Sequence, residues 1–142
     1  MFDVPILIIF YNRSSTLVKV LQKVKKINPK KIYFFCDGPK NDKDSQLVDS
    51  ARKSVDKFFF SKNCTVKKKY LIQNKGLRNG VISAIDWFFS QEEKGIILED
   101  DCVPSESFFI YCKENLLYHK NNMKVMNIGG LNLVEQLYKK NF

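Results

Sequence analysis

Three carboxylates stand in a row at Glu99, Asp100 and Asp101, directly after the apolar run 95–98. Like charges side by side repel, and a buried carboxylate is costly unless it is paired or bound to a metal. Hard cations such as Mg²⁺ or Mn²⁺ take carboxylate oxygens and share them with substrate phosphates. Adjacent carboxylates can divide that work, one side chain reaching a metal and its neighbour a sugar hydroxyl. An isolated Asp-Asp pair is more often a solvated strand end or a cap for the next helix. Here the apolar residues before it and the preceding Glu99 favour the metal reading. Other polar residues follow the remaining apolar runs: Asn12 and Arg13 after 5–10, Asp37 after 31–36, and Asn74, Lys75, Gly76 and Arg78 after 64–73. A diphosphate bridged by a metal would also meet Lys75, Arg78 or Arg13. Taken singly, Asp37 before Gly38 is a turn former and Arg13 a surface charge. Their common position at strand ends gives them weight.

The elements that must carry these residues alternate. Residues 5–10 and 31–36 are short continuous apolar runs, the pattern of strands buried on both faces. Between them Leu17, Val20, Leu21, Val24 and Ile27 recur at helical spacing, with Ser14 or Ser15 as a cap and Asn28-Pro29 as a stop. A second helix is expected over 45–58. A third strand over 64–73 is interrupted by Lys67, Lys68 and Lys69, which suggests an edge. A polar loop spans 74–80, a third helix 81–91, a fourth strand 95–98 and a fourth helix 105–119. A fifth short strand is expected over 124–128, ending at Gly129-Gly130; the last twelve residues carry no signal. This order predicts an α/β fold, a Rossmann-like three-layer α/β/α sandwich with a mostly parallel sheet. In such sheets ligands bind beyond the carboxyl ends of the strands, where the polar residues above fall.

The chain has 142 residues, 44% of them hydrophobic and 27% charged, enough for one domain with a real core. Its net charge of +9 fits an anionic partner, or a lysine excess that keeps it in solution. Cys36, Cys64, Cys102 and Cys112 show no C-x-x-C spacing, and His119 adds no zinc pattern. No secretory leader is legible and no apolar run reaches the ~20 residues that span a bilayer. A cytoplasmic protein with reduced thiols is expected. No G-x-G-x-x-G, G-x-x-x-x-G-K-[ST] or G-x-S-x-G occurs. Trp87-Phe88-Phe89, at helical spacing with Ile82 and Ile85, reads as core.

The segments PILIIFYNR, FFCDGP, NKGLRNGVISAIDWFF and GIILEDDCVPSESFF together resemble the N-terminal, nucleotide-sugar half of a GT-A glycosyltransferase. The acidic motif is similar to the Glu-Asp-Asp of N-acetylglucosaminyltransferase I. The resemblance implies a nucleotide-diphospho-sugar transferase fold over 1–142, transfer of a sugar from a nucleoside diphosphate donor, UDP favoured, to a glycan hydroxyl, and a place in surface polysaccharide biosynthesis. It implies that Asn12 and Arg13 touch the nucleotide, that Asp37 accepts from the base, and that Asn74, Lys75, Gly76 and Arg78 close over the phosphates. Asp100 would lie by the ribose or donor sugar, supported by Glu99, and Asp101 would hold Mn²⁺ or Mg²⁺. Members of the family are longer, and their acceptor site and catalytic base follow this half. The acceptor-binding part is expected to be missing here, and neither Glu106 nor Glu135 stands out as a base. Two other readings stay open: a nucleotide-binding module without transfer activity, and a basic nucleic-acid binder or metal nuclease. Interleaved exposed aromatics, which nucleic-acid binding favours, are not evident.

Overall fold

The computed structural model describes residues 1–130. They fall in two compact units, Met1–Glu106 and a second beginning at Ser107. In the first, β1 (Ile6–Phe10), α1 (Ser14–Lys26), β2 (Lys31–Cys36), α2 (Asp42–Lys57), β3 (Thr65–Tyr70), α3 (Gly76–Phe89) and β4 (Ile96–Glu99) alternate along the chain. All three strand pairings are parallel and the order across the sheet is β3-β2-β1-β4. The connections through α1 and α2 step in one direction, and the connection through α3 steps back past β1. Right-handed crossovers therefore place α1 and α2 on one face and α3 on the other. This is the predicted three-layer α/β arrangement with an all-parallel sheet.

Side-chain alternation along the strands assigns the two cores. Leu7, Tyr33 and Phe35 meet Ala84 and Phe88 of α3, with Trp87 at their margin. The alternate residues Ile6, Ile8, Ile32 and Phe34 are fully buried on the other face, as are Leu17, Val20 and Leu21 of α1 and Val48 and Ala51 of α2. Tyr33 packs edge-on against Phe88 at 5.0 Å and Trp87 at 5.5 Å. The lysine-bearing β3 is the edge strand that its sequence predicted, and four of its six residues are exposed. At β4 only Ile96 and Leu98 are buried; Ile97 and Glu99 face outward.

Several boundaries differ from the sequence reading. Helix α2 starts at Asp42, where the Asn41 side chain accepts from the Asp44 amide at 3.0 Å. Helix α3 starts at Gly76, so most of the expected 74–80 loop is its first turns. The polarity of that stretch reflects exposure, since Leu77, Arg78 and Asn79 face solvent. Neither Ser14 nor Ser15 caps α1; Arg13 occupies the cap position without a side-chain bond to the helix. The helix does stop before Asn28-Pro29, and the φ of 51° at Asn28 is the left-handed turn that asparagine tolerates.

Helix α4 (Glu106–Tyr118) belongs, but for its first residue, to the second unit. The strand expected over 124–128 does not form among the described residues. No strand pairs with it, and Met123 and Met126 are almost wholly exposed. A short apolar run becomes a strand only when a neighbour supplies the ladder. Gly130 instead lies close against the Phe108 ring, where a Cβ would come within 2.2 Å of Cε2. The last twelve residues, including Glu135, lie outside the described residues.

Candidate functional site

Strands β1 and β4 are neighbours, although the connection that leaves β1 steps one way across the sheet and the one that reaches β4 steps back the other way. Their carboxyl ends therefore flank the point where the strand order reverses, a topological switch point of the kind where open α/β sheets bind ligands. Arg13 leaves β1 and Asp100 and Asp101 leave β4 at this place. One guanidinium nitrogen of Arg13 lies 2.5 Å from Asp100 Oδ1 and the other 2.7 Å from Asp101 Oδ2. The two carboxylates differ sharply in environment: the Asp100 side chain is 3% exposed and that of Asp101 is 43% exposed. Asp100 also accepts from the Tyr11 amide at 3.0 Å. Burial would lower the Arg13 pKa, but Asp100 and then Asp101 outweigh it and raise the pKa further.

A second cluster surrounds the carboxyl ends of β2 and β3. Asp37 Oδ1 accepts from the amides of Gly38 and Lys75, at 2.9 and 3.0 Å, and Oδ2 also receives Lys75 N–H at 3.1 Å. It thus serves the start of α3, which has no side-chain cap of its own. Asn74 donates to the Gly38 carbonyl at 2.6 Å and accepts from the Gly76 amide at 3.0 Å. Gly38 is required here because a Cβ would come within 2.4 Å of the Gln73 backbone. Gly76 adopts φ +78°. The Lys75 ammonium lies 3.1 Å from Ser83 Oγ, along the helix. Arg78 is exposed and has no ion-pair partner among the described residues.

Three residues that the sequence reading did not single out organise these clusters. Tyr11 joins them: its amide holds Asp100, while its hydroxyl donates to Asp44 and accepts from Asn74 Nδ2 at 3.3 Å. Burial first, then the bond to Asp44, pushes the Tyr11 phenol up to about 12. Asp44 also accepts from Asn12 Nδ2 at 2.7 Å and from the Lys40 amide at 3.0 Å. Burial alone would raise the Asp44 carboxyl, but these donors hold it below the usual carboxylate range. Asn12 thus ties the end of β1 to α2. Arg52 reaches from α2 to the carbonyls of Asp37 and Leu71, at 3.1 and 2.6 Å, and ties the ends of β2 and β3 together. The Asn41-x-x-Asp44 spacing, a capping pattern, was the available signal for Asp44. Nothing in the sequence pointed to Arg52 or Tyr11.

The carboxylates suit a cation in one limited way. Among the described residues no three His, Cys, Asp or Glu side chains converge as a metal cage. Asp100 is buried against Arg13 and Tyr11, whereas Asp101, paired with Arg13 on one side, and Glu99 are open to solvent. Mg²⁺ or Mn²⁺ held by one carboxylate and completed by phosphate oxygens and water fits Asp101. The four cysteines are free thiols, Cys36 buried and Cys102 exposed. Among the described residues no helix is long and apolar enough to cross a membrane. Comparison with family models, with curated proteins and with solved structures gives no match to this chain.

Proposed function

We propose that this chain is the nucleotide-sugar-binding domain of a metal-dependent glycosyltransferase of the GT-A type. On this reading it acts in the cytoplasm in surface polysaccharide assembly, with UDP-sugar as the favoured donor and a glycan hydroxyl as acceptor. The observation that carries the reading is the pairing of Arg13 with Asp100 and Asp101 across the switch point. It brings a diphosphate-seeking guanidinium and an exposed carboxylate to the crevice where α/β sheets bind nucleotides. The resemblance of the Glu-Asp-Asp segment and its apolar frame supports the same assignment.

In this reading Asp100, buried and fixed by Tyr11, shapes the floor of the crevice and faces the ribose or donor sugar. Asp101 is the residue that would hold Mn²⁺ or Mg²⁺, a Lewis acid that neutralises charge on the departing nucleoside diphosphate. Arg13, half exposed, turns its free edge to the phosphates. Asp37 keeps lone-pair capacity beyond its two backbone donors and can accept from a base N–H. Lys75 and Arg78 add positive charge at the start of α3, where helix amides also favour anions. Thermal unfolding with UDP, GDP or CDP, with and without Mn²⁺, tests the assignment. Stabilisation by one nucleotide that depends on metal and disappears in Asp101→Ala is expected. No stabilisation by any of them contradicts it.

A further inference from the structure

The end of the sheet opposite the candidate site has a different character. Helices in right-handed crossovers run antiparallel to their strands, so α1 and α2 end where β2 and β3 begin. The last turn of α1 carries Lys23, Lys25 and Lys26, and α2 ends at Lys57. Neither 23–31 nor 57–65 contains an acidic residue. The two connections touch, because the Thr65 amide donates to the Lys30 carbonyl at 2.8 Å. Lys26, Lys30, Lys57 and Lys62 are exposed and pair with no carboxylate among the described residues.

Within this lysine field lies the aromatic run Phe58-Phe59-Phe60. Phe60 is buried, stacked near Phe34 and Phe58 at 6.1 and 5.2 Å, whereas Phe59 is 63% exposed. The Lys25 ammonium lies over the Phe58 and Phe59 rings, at 5.5 and 5.8 Å. A shallow groove of about 380 Å³ beside them has Val55, Phe60 and Val66 in its walls and Lys62 and Lys68 at its margin. Acids do stand near this end, Asp56 in the last turn of α2, 2.7 Å from Lys68, and Glu92, 2.8 Å from Lys31, whereas Asp37, Asp42, Asp44, Glu99, Asp100 and Asp101 lie at the carboxyl ends of the strands or on the helix that follows. The lysines Lys26, Lys30, Lys57 and Lys62, unpaired among the described residues, and the exposed Phe59 therefore share one end of the sheet.

We propose that the Phe58–Phe60 loop and its surrounding lysines form a docking face for an anionic phospholipid bilayer. Phe59 inserts among the headgroups and acyl-chain ends, and the lysines pair with lipid phosphates. An exposed aromatic combined with a polybasic patch supplies the two signals that reversible membrane attachment needs. Nucleic acid is the weaker fit: Lys25 already covers the Phe58 and Phe59 rings and Phe60 is buried, so the run offers no open platform of rings for base stacking. Docked this way, the switch-point crevice faces water, roughly 20 Å further from the lipid along the strands.

Co-sedimentation of the chain with vesicles tests the proposal, with phosphatidylcholine alone and with phosphatidylcholine containing phosphatidylglycerol. Binding is expected to the anionic vesicles only, and to be lost at ~0.5 M NaCl. Phe59→Ala, at an exposed position, and the double variant Lys26→Glu/Lys62→Glu should each weaken it about tenfold while leaving thermal unfolding unchanged. Asp101→Ala should bind vesicles as the wild type does. The proposal is overturned by equal binding to neutral vesicles, by no binding to anionic ones, by full retention in Phe59→Ala, or by displacement from vesicles with a short DNA duplex at equal phosphate concentration.

Discussion

Arg13 bears on both stability and binding because Asp100 cannot be left alone. Removing the guanidinium leaves a carboxylate that is 3% exposed with the Tyr11 amide as its remaining donor. Arg13→Ala is expected to cost about 1–3 kcal/mol in urea unfolding, and Arg13→Lys to recover only part, because one ammonium cannot bridge two carboxylates as a planar fork does. A different residue governs acid stability. Asp44 has a folded pKa below its ordinary 3.8, so the stability it contributes is present above that pH and is lost as pH falls through the folded value. Asp44→Asn should therefore flatten the fall of the unfolding midpoint below about pH 4. A wild-type fall that persists unchanged in the variant would contradict this. Cys36 is held up to about 11 by burial, against the pull of Arg52. With a thiol reagent at neutral pH, exposed Cys102 should react first and Cys36 only as fast as the protein opens.

Elements carry the site because their ends meet, and those meetings depend on close approach. Gly38 is the tightest: its absent Cβ leaves room for the Gln73–Asn74 backbone, which leads into α3 and the Lys75 amide held by Asp37. Gly38→Ala should destabilise by about 2–3 kcal/mol, measured by urea unfolding; a loss within ~0.5 kcal/mol would show that the loop can move aside. The strands and helices were largely legible because their signals are local. Continuous apolar runs gave β1 and β2, and 3.6-residue periodicity gave α1 and α3. The lysines of β3 marked an edge before any pairing was known. What was not legible depends on contact. The 74–80 stretch looked like a loop because its polar residues lie on the open side of α3. The 124–128 run looked like a strand because apolar residues say nothing of whether a partner stands beside them. The bond from Asn12 to Asp44, a partner thirty-two residues away, is likewise a matter of contact.

At the scale of the whole molecule, the same chain presents acids and an arginine at one end of the sheet and lysines with an exposed phenylalanine at the other. The sequence foretold the first end from strand-end residues, since topology collects those at one rim. It did not foretell the second, because the lysines of 23–31 and 57–62 are ordinary surface charges until crossovers bring them together. The central claim is that the switch-point end holds a nucleoside diphosphate through a cation at Asp101. Isothermal titration of UDP, with GDP and CDP alongside, into the chain with saturating Mn²⁺ and then with chelator tests it most directly. The account predicts saturable binding of one nucleotide that chelator weakens at least tenfold, with Asp101→Ala reproducing the chelator result and Phe59→Ala leaving it untouched. Absence of heat with every nucleotide, or binding that survives both chelator and Asp101→Ala at full strength, would contradict it.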